Sequence, residues 1–168
     1  MDVQPGVIDR AGDKESYLSR VRLAVDHAHA QGIRVIYVVV AFRPGAPEAN
    51  EFFRRYAPAF VNAQPVMTLA EGDIVVTKKR ISAFAGSDLE VLLRANDIRN
   101  LVLSGIATSG VVLSTLREAF DKDYTLIVLS DLCADADPEV HRVLLEKVFP
   151  RQAKVLTTAE WIASGSAP

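Results

Sequence analysis

Three short stretches of this sequence hold groups that could act together on a small polar substrate. Asp2 supplies a carboxyl, Lys78 supplies an amine directly after the apolar run 74–77, and Gly105-Ile106-Ala107-Thr108-Ser109-Gly110 follows the apolar run 101–104 and opens a helix. A helix start presents unpaired backbone N–H groups and a partial positive charge, which suits a carboxylate or a developing oxyanion. Each feature alone also has a plain structural reading: a surface aspartate, a solvated strand end, a tight strand-to-helix turn. Their common placement is what matters, because ligands of open parallel α/β sheets bind outside the carboxyl ends of the strands.

The elements needed to hold these groups are legible along the whole chain. Leu18, Val21, Val25 and Ala28 recur at three- and four-residue steps, so the first helix carries one apolar stripe, and Gly32 follows where a left-handed cap is wanted. The strand over 33–41 is nearly all β-branched, which marks an interior strand buried on both faces. Shorter runs follow at 74–77, 101–104, 125–130 and 154–156, with helix patterns over 87–96, 111–121 and 138–149, the last opened by Asp137 as N-cap and Pro138. This βαβ order predicts a three-layer α/β/α sandwich around a mostly parallel, nominally six-stranded sheet, in a single domain over residues 1–168. Between Arg43 and Gly72 lie about thirty residues with four prolines and one helix-like piece over 50–56, a loop long enough to cover a site. The amino terminus breaks the pattern. Met1-Asp2-Val3-Gln4-Pro5 reads as the tail of a strand without its body, so the first strand is expected to be truncated, with residues upstream of Met1 missing from the chain and two neighbouring ladders unpaired.

The wording of the three stretches is more specific than their residue types. Asp2-Val3-Gln4 fits the pattern D-x-Q, Lys78-Lys79-Arg80-Ile81-Ser82-Ala83-Phe84 fits K-x-R-x-S-A-F, and Gly105 to Thr115 fits G-x-x-T-x-x-C-V-x-x-T with one departure. On these segments, continued in register to Val155-Leu156-Thr157-Thr158-Ala159-Glu160, the chain resembles the isochorismatase-like hydrolases, or cysteine hydrolase superfamily. The resemblance implies a six-stranded parallel sheet, a non-proline cis peptide corresponding to Ile106-Ala107, and an Asp, Lys, Cys triad. Asp2 and Lys78 fill the first two places, while Val111 stands where the nucleophilic cysteine is expected. The resemblance also makes Gln4, Arg43, Phe84, Ala107, Thr108 and Gly110 candidates for substrate binding, with the amides of Ala107 and Val111 aimed into the pocket. Family members commonly assemble, so a homodimer or higher homo-oligomer is expected.

No other residue offers an obvious substitute for the thiol. Cys133, the only cysteine, lies past the run 125–130 and reads as a small, partly buried residue. Ser109 and Ser114 lack a placed base, since His27, His29 and His141 fall in helical patterns away from the turn. Metal is not expected: relatives of the nicotinamidase type carry an Asp-x-His after the second strand, where this chain has Phe42-Arg43-Pro44-Gly45. Arg43 instead puts a cation at the rim, suited to a carboxylate, and Phe42, Phe60 and Phe84 could line an apolar pocket or simply fill the core.

Composition narrows the function classes. With 168 residues, 49% hydrophobic, 24% charged and a net charge of −2, the chain suits one soluble domain and attracts neither phosphate backbones nor anionic lipid. The longest apolar run, 35–42, has eight residues, well short of the roughly 18 that a membrane span needs. One cysteine and no leader-like segment point to a reducing cytoplasm, and no cofactor motif is present. A doubly wound nucleotide binder would need G-x-G-x-x-G or a P-loop lysine, and neither occurs. Two readings are left. One is a hydrolase acting on a small molecule without a cysteine nucleophile, with Asp2 as acid and Lys78 as its electrostatic partner, on a vinyl ether or related C–O or C–N bond. The other is a catalytically silent small-molecule-binding homologue that kept the pocket. Whether burial or Lys78 dominates the ionisation of Asp2 is not decided by sequence.

Overall fold

The computed structural model describes residues 1–165. Five parallel strands form its centre: β1 (Ile36–Val40), β2 (Ile74–Lys78), β3 (Asn100–Ile106), β4 (Thr125–Ala134) and β5 (Lys154–Leu156). They fall into two sheets, β1 with β2 and β3-β4-β5 in that order. The expected sixth strand is not formed. Its last rung is, because the Met1 amino group donates to Ser104 O (2.9 Å), Ile106 N–H to Met1 O (3.2 Å) and Asp2 N–H to Val38 O (2.8 Å). Residues 1–2 therefore bridge β3 to β1 at the carboxyl end of the sheet.

Period-two alternation sends strand side chains to opposite faces, and the two faces have separate cores. Val38, Val76, Leu103, Leu126 and Val128 pack with Leu89 and Leu93 of α3 (Leu89–Ala95), Leu116 and Ala119 of α4 (Leu113–Asp121), and Leu144 and Phe149. Tyr37, Ile127 and Leu129 pack on the other face with Tyr17, Val21, Ala24 and Ala28 of α1 (Lys14–Ala30) and Trp161 of α6 (Thr158–Ser164). Helices on both faces of parallel strands make the α/β/α class expected from the chain.

Helix starts are fixed by local chemistry. The Asp13 carboxylate accepts from Ser16 N–H, Thr157 and Glu160 close a capping box, and the Asp137 carboxylate accepts from Glu139 and Val140 N–H ahead of α5 (Pro138–Val143). The long loop contributes α2 (Glu51–Arg54), capped by Asn50, and folds back over the amino-terminal segment: Phe42 N–H donates to Phe60 O, and Val66 N–H to Val3 O (3.0 Å).

Two helix expectations are corrected. The pattern over 111–121 begins earlier, as a π-helical turn at Thr108–Val112, and becomes α-helical only at Leu113. The pattern over 138–149 is α-helical only to Val143, then π-helical over Leu144–Val148. A hydrophobic period near 3.6 does not distinguish these windings over one turn.

Candidate active site

Asp2 and Lys78 meet although they are far apart in the chain, because Asp2 ends the bridging rung beside β1 and Lys78 ends β2, the next strand over. Lys78 Nζ lies 2.9 Å from Asp2 Oδ2, and the two side chains are 3% and 9% exposed. Lys78 also donates to Arg80 O (3.1 Å) and Ile81 O (2.8 Å). The three acceptors match the three N–H donors of an ammonium, so the Lys78 head group is held in place on every side. Asp2 is held differently. Its Oδ1 is buried with no hydrogen-bond partner, and its backbone turns at φ +56°, a left-handed conformation that costs a non-glycine residue about 1 kcal/mol. Burial raises the Asp2 pKa and outweighs the opposing pull of Lys78, which answers the question that sequence leaves open.

Gln4 holds this arrangement in place. Its carboxamide accepts from Val40 N–H (2.8 Å) and donates to Val40 O (2.9 Å), imitating the next peptide unit of a strand beside β1. The Gln4 side chain, expected among the substrate contacts, is fully buried with both polar ends engaged by Val40.

The strand-to-helix turn starts from the end of β3, to which Met1 is bonded. Gly105 is required by the close approach of the amino terminus: a Cβ there would lie 2.2 Å from Met1 O, at φ +150°. The Ile106–Ala107 peptide is cis, as the resemblance implies. Val111 is 2% exposed and belongs to the core that contains Phe84, Val76 and Val38, with Met1 packed against it. Ala107, half-buried, packs on the opposite core, and Gly110 N–H donates to Ala107 O. Thr108 is fully buried, and its Oγ1 lies 2.8 Å from His141 Nδ1.

That last contact corrects the expectation that all three histidines lie away from the turn. It could have been found from topology: β3 and β4 are parallel neighbours, so the helices following them start at the same sheet edge, and His141 stands in the first turn of α5. Asp135, also unforeseen, accepts from Ser109 N–H (2.7 Å). Burial works to raise its pKa, but hydrogen bonds from Ser109 and from the Asp137 and Ala136 backbone outweigh that and hold it below the usual carboxylate range.

Arg43 is exposed, its backbone N–H bound to Glu48 Oε1. Arg80 donates to Glu48 O and Lys79 O, pinning the long loop to the end of β2. Phe84 is buried against Tyr124 (centroids 6.0 Å apart), and Phe42 is buried under Phe53, so both are core residues here. Cys133 is buried opposite Gly105 on β4, and burial pushes its thiol up to about 12, which keeps it protonated. Among the described residues no three His, Cys, Asp or Glu side chains converge as metal ligands would, and no helix is long and apolar enough to cross a membrane.

The family model described as the isochorismatase domain matches residues 1–160. The isochorismatase family protein YwoC of Bacillus subtilis is 34% identical, over 96% of this chain and 89% of its own length. The ureidoacrylate amidohydrolase RutB of Acinetobacter baylyi is 35% identical, over 85% of this chain and 70% of its own. Among solved structures, an isochorismatase family protein from Burkholderia thailandensis superposes with a TM-score of 0.84 at 28% identity, covering 97% of this chain and 91% of that one.

Proposed function

The chain belongs to the isochorismatase family, and from that premise we propose that it is a small-molecule hydrolase whose chemistry rests on Asp2 and Lys78 without a cysteine nucleophile. The observation that carries this reading is the asymmetry of the Asp2 carboxyl: one oxygen fixed by Lys78, the other buried and unpartnered, in a group whose pKa burial raises. Such a group is a general acid.

A vinyl ether suits that acid. Proton transfer from Asp2 to the enol carbon forms a C–H bond and leaves an oxocarbenium ion. Water adds to the oxygen-bearing carbon of this ion and returns a proton to Asp2, and the resulting hemiketal breaks its C–O bond to give a carbonyl compound and an alcohol. Atoms balance with one water consumed, and no enzyme-bound intermediate is required. Lys78 steadies the carboxylate left after proton transfer. The Ala107 and Val111 amides would face the substrate's polar atoms, Thr108 and Gly110 would hold the turn that carries them, and the exposed Arg43 would attract a carboxylate.

That a relative is a ureidoacrylate amidohydrolase also supports hydrolysis of a C–N bond, but in this chain an amide would meet a valine where the family places its thiol. The packing of Val111 favours a second reading, a ligand-binding homologue without turnover, because a fully packed isopropyl group offers no chemistry. Homo-oligomerisation is part of either proposal, supported by the exposed Phe52 and Tyr56 on the long loop.

One experiment separates the readings: a mass-spectrometric screen of vinyl ethers, amides and carbamoyl compounds with wild type, Asp2→Asn and Val111→Cys. Turnover by wild type that is lost in Asp2→Asn supports the acid mechanism. Turnover retained in Asp2→Asn refutes it, and amidase activity only in Val111→Cys, beside an inert wild type, supports the silent homologue.

A further inference from the structure

The connection from β4 to α5 grips the strand-to-helix turn at two points. Asp135 Oδ2 accepts from Ser109 N–H (2.7 Å), and the Thr108 hydroxyl lies 2.8 Å from His141 Nδ1. Both grips come from one braced piece of backbone. The Asp137 carboxylate accepts from Glu139 and Val140 N–H and so fixes the first turn of α5, His141 N–H donates to Asp137 O (3.0 Å), and Asp137 N–H donates to Asp135 Oδ1 (3.4 Å). The turn they hold, Thr108–Val112, is π-helical, a winding that is rare and frequent at functional sites. Thr108 is fully buried, and among the described residues His141 Nδ1 is the hydrogen-bond partner of its hydroxyl. A buried hydroxyl proton without an acceptor is costly, whereas His141 is only half-buried. The hydroxyl therefore donates and Nδ1 accepts, which puts the proton of the neutral imidazole on Nε2.

We propose that His141 is a positioning residue of the candidate active site: as the Nε2–H tautomer it holds Thr108, and through Thr108 the turn that carries the Ala107 and Val111 amides. The proposal rests on the reading of those amides as substrate contacts. Asp2 and Lys78 are placed by other elements, the rung at residues 1–2 and the end of β2. Removing the acceptor on His141 therefore displaces the part of the site that binds and leaves the acid where it is. A loss confined to binding raises KM and keeps kcat. Ring shape alone does not replace the acceptor, so phenylalanine at this position leaves the Thr108 hydroxyl stranded. Asparagine carries its amide oxygen on Cγ, as histidine carries Nδ1, and restores an acceptor in the same place.

The test compares the ¹⁵N-labelled full chain at pH 8 with His141→Phe, His141→Asn, Thr108→Val and the Phe/Val double variant by nuclear magnetic resonance, without reference to turnover. The ring couplings of His141 are expected to show a protonated Nε2 and a bare Nδ1. The Ala107 and Val111 amide signals are expected to move in His141→Phe and to return in His141→Asn. In the Thr108→Val background, where no hydroxyl is left to strand, His141→Phe is expected to move them by less than about half as much. Should His141→Phe not fold, His141→Gln, whose acceptor lies one bond further out, takes its place. On any substrate that the wild type turns over, KM is expected to rise at least about tenfold in His141→Phe, with kcat within about threefold and His141→Asn restoring both. A proton on Nδ1, or amide signals that stay in place in His141→Phe, overturns the proposal whether or not turnover is found, as does a fall in kcat at unchanged KM. Ring and amide signals as expected beside a wild type that turns nothing over uphold the hold of His141 on the turn, and the hydrolase reading alone then fails.

Discussion

Replacing Lys78 by methionine isolates what the buried ion pair contributes. The substitution keeps most of the side-chain stem and deletes the ammonium, so Asp2 loses its only side-chain partner while the Arg80 and Ile81 carbonyls lose a donor. Removing one member of a buried pair costs about 3–5 kcal/mol. For a chain of this length, that corresponds to a fall in Tm of about 6–20 °C. The cost also depends on pH, with a sign set by Asp2. Its folded-state pKa is raised by burial against the pull of Lys78. A carboxyl raised in the folded state lends stability when protonated, below its unfolded value near 4, and that contribution is lost as pH rises through the folded value. Without Lys78 the folded value climbs further, so Lys78→Met is expected to lie closer to wild type at pH 5 than at pH 8. In an Asp2→Asn background no carboxylate is left to strand, so the loss at pH 8 shrinks by about 1–3 kcal/mol. Urea unfolding of the four proteins at both pH values measures each quantity. An equal loss in both backgrounds, with no pH dependence, refutes the reasoning.

Gly105→Ala would place a methyl group 2.2 Å from Met1 O. A destabilisation of about 1–3 kcal/mol is expected in urea titration, with turnover lost as the Asp2 rung shifts. Gln4→Leu leaves Val40 N–H and C=O without their side-chain partners, at about 1–3 kcal/mol for each group left unsatisfied; the same titration checks it. Cys133, with its thiol pushed up to about 12, is expected to react with a disulfide reagent at pH 8 at least about 100-fold faster in denaturant than in the folded protein, followed by thiol absorbance.

How much of this was legible in the sequence depends on the range of the interaction concerned. The runs of β-branched residues at β1 and β2 announce interior parallel strands because burial on both faces is written locally. The Asp137-Pro138 start of α5 is likewise local and appears as read, and the Thr157–Glu160 box is a local signal of the same kind. The Asp2–Lys78 pair was legible through the motif wording, since no periodicity relates two residues so far apart. What the sequence does not show needs three dimensions. Gln4 has the right type for substrate contact, and only the position of Val40 shows that its amide is already used. The nearness of His141 to the turn is not legible because a helical pattern does not say which sheet edge the helix starts from. Unpaired edges on two ladders are legible in the missing first apolar run, but the bridging of both sheets by one rung at Met1 and Asp2 is not.

The saturation of Lys78 fixes the direction of proton flow in the proposed reaction. With its three protons given to Asp2 Oδ2, Arg80 O and Ile81 O, the ammonium cannot deliver one to substrate without abandoning a buried acceptor, at a cost of about 1–3 kcal/mol. The proton must then come from Asp2, through the oxygen that has no partner. An acid works only while protonated, so kcat/KM for a vinyl ether is expected to be flat at low pH and to fall as pH rises through the raised Asp2 value. If Asp2 acted instead as the base for an attacking nucleophile, the same limb would run the other way, with activity rising over that window. A rate profile from pH 4.5 to 8.5, paired with the Asp2→Asn control, distinguishes the two. An ascending limb would assign Asp2 to proton removal and sink the acid mechanism even if turnover were confirmed.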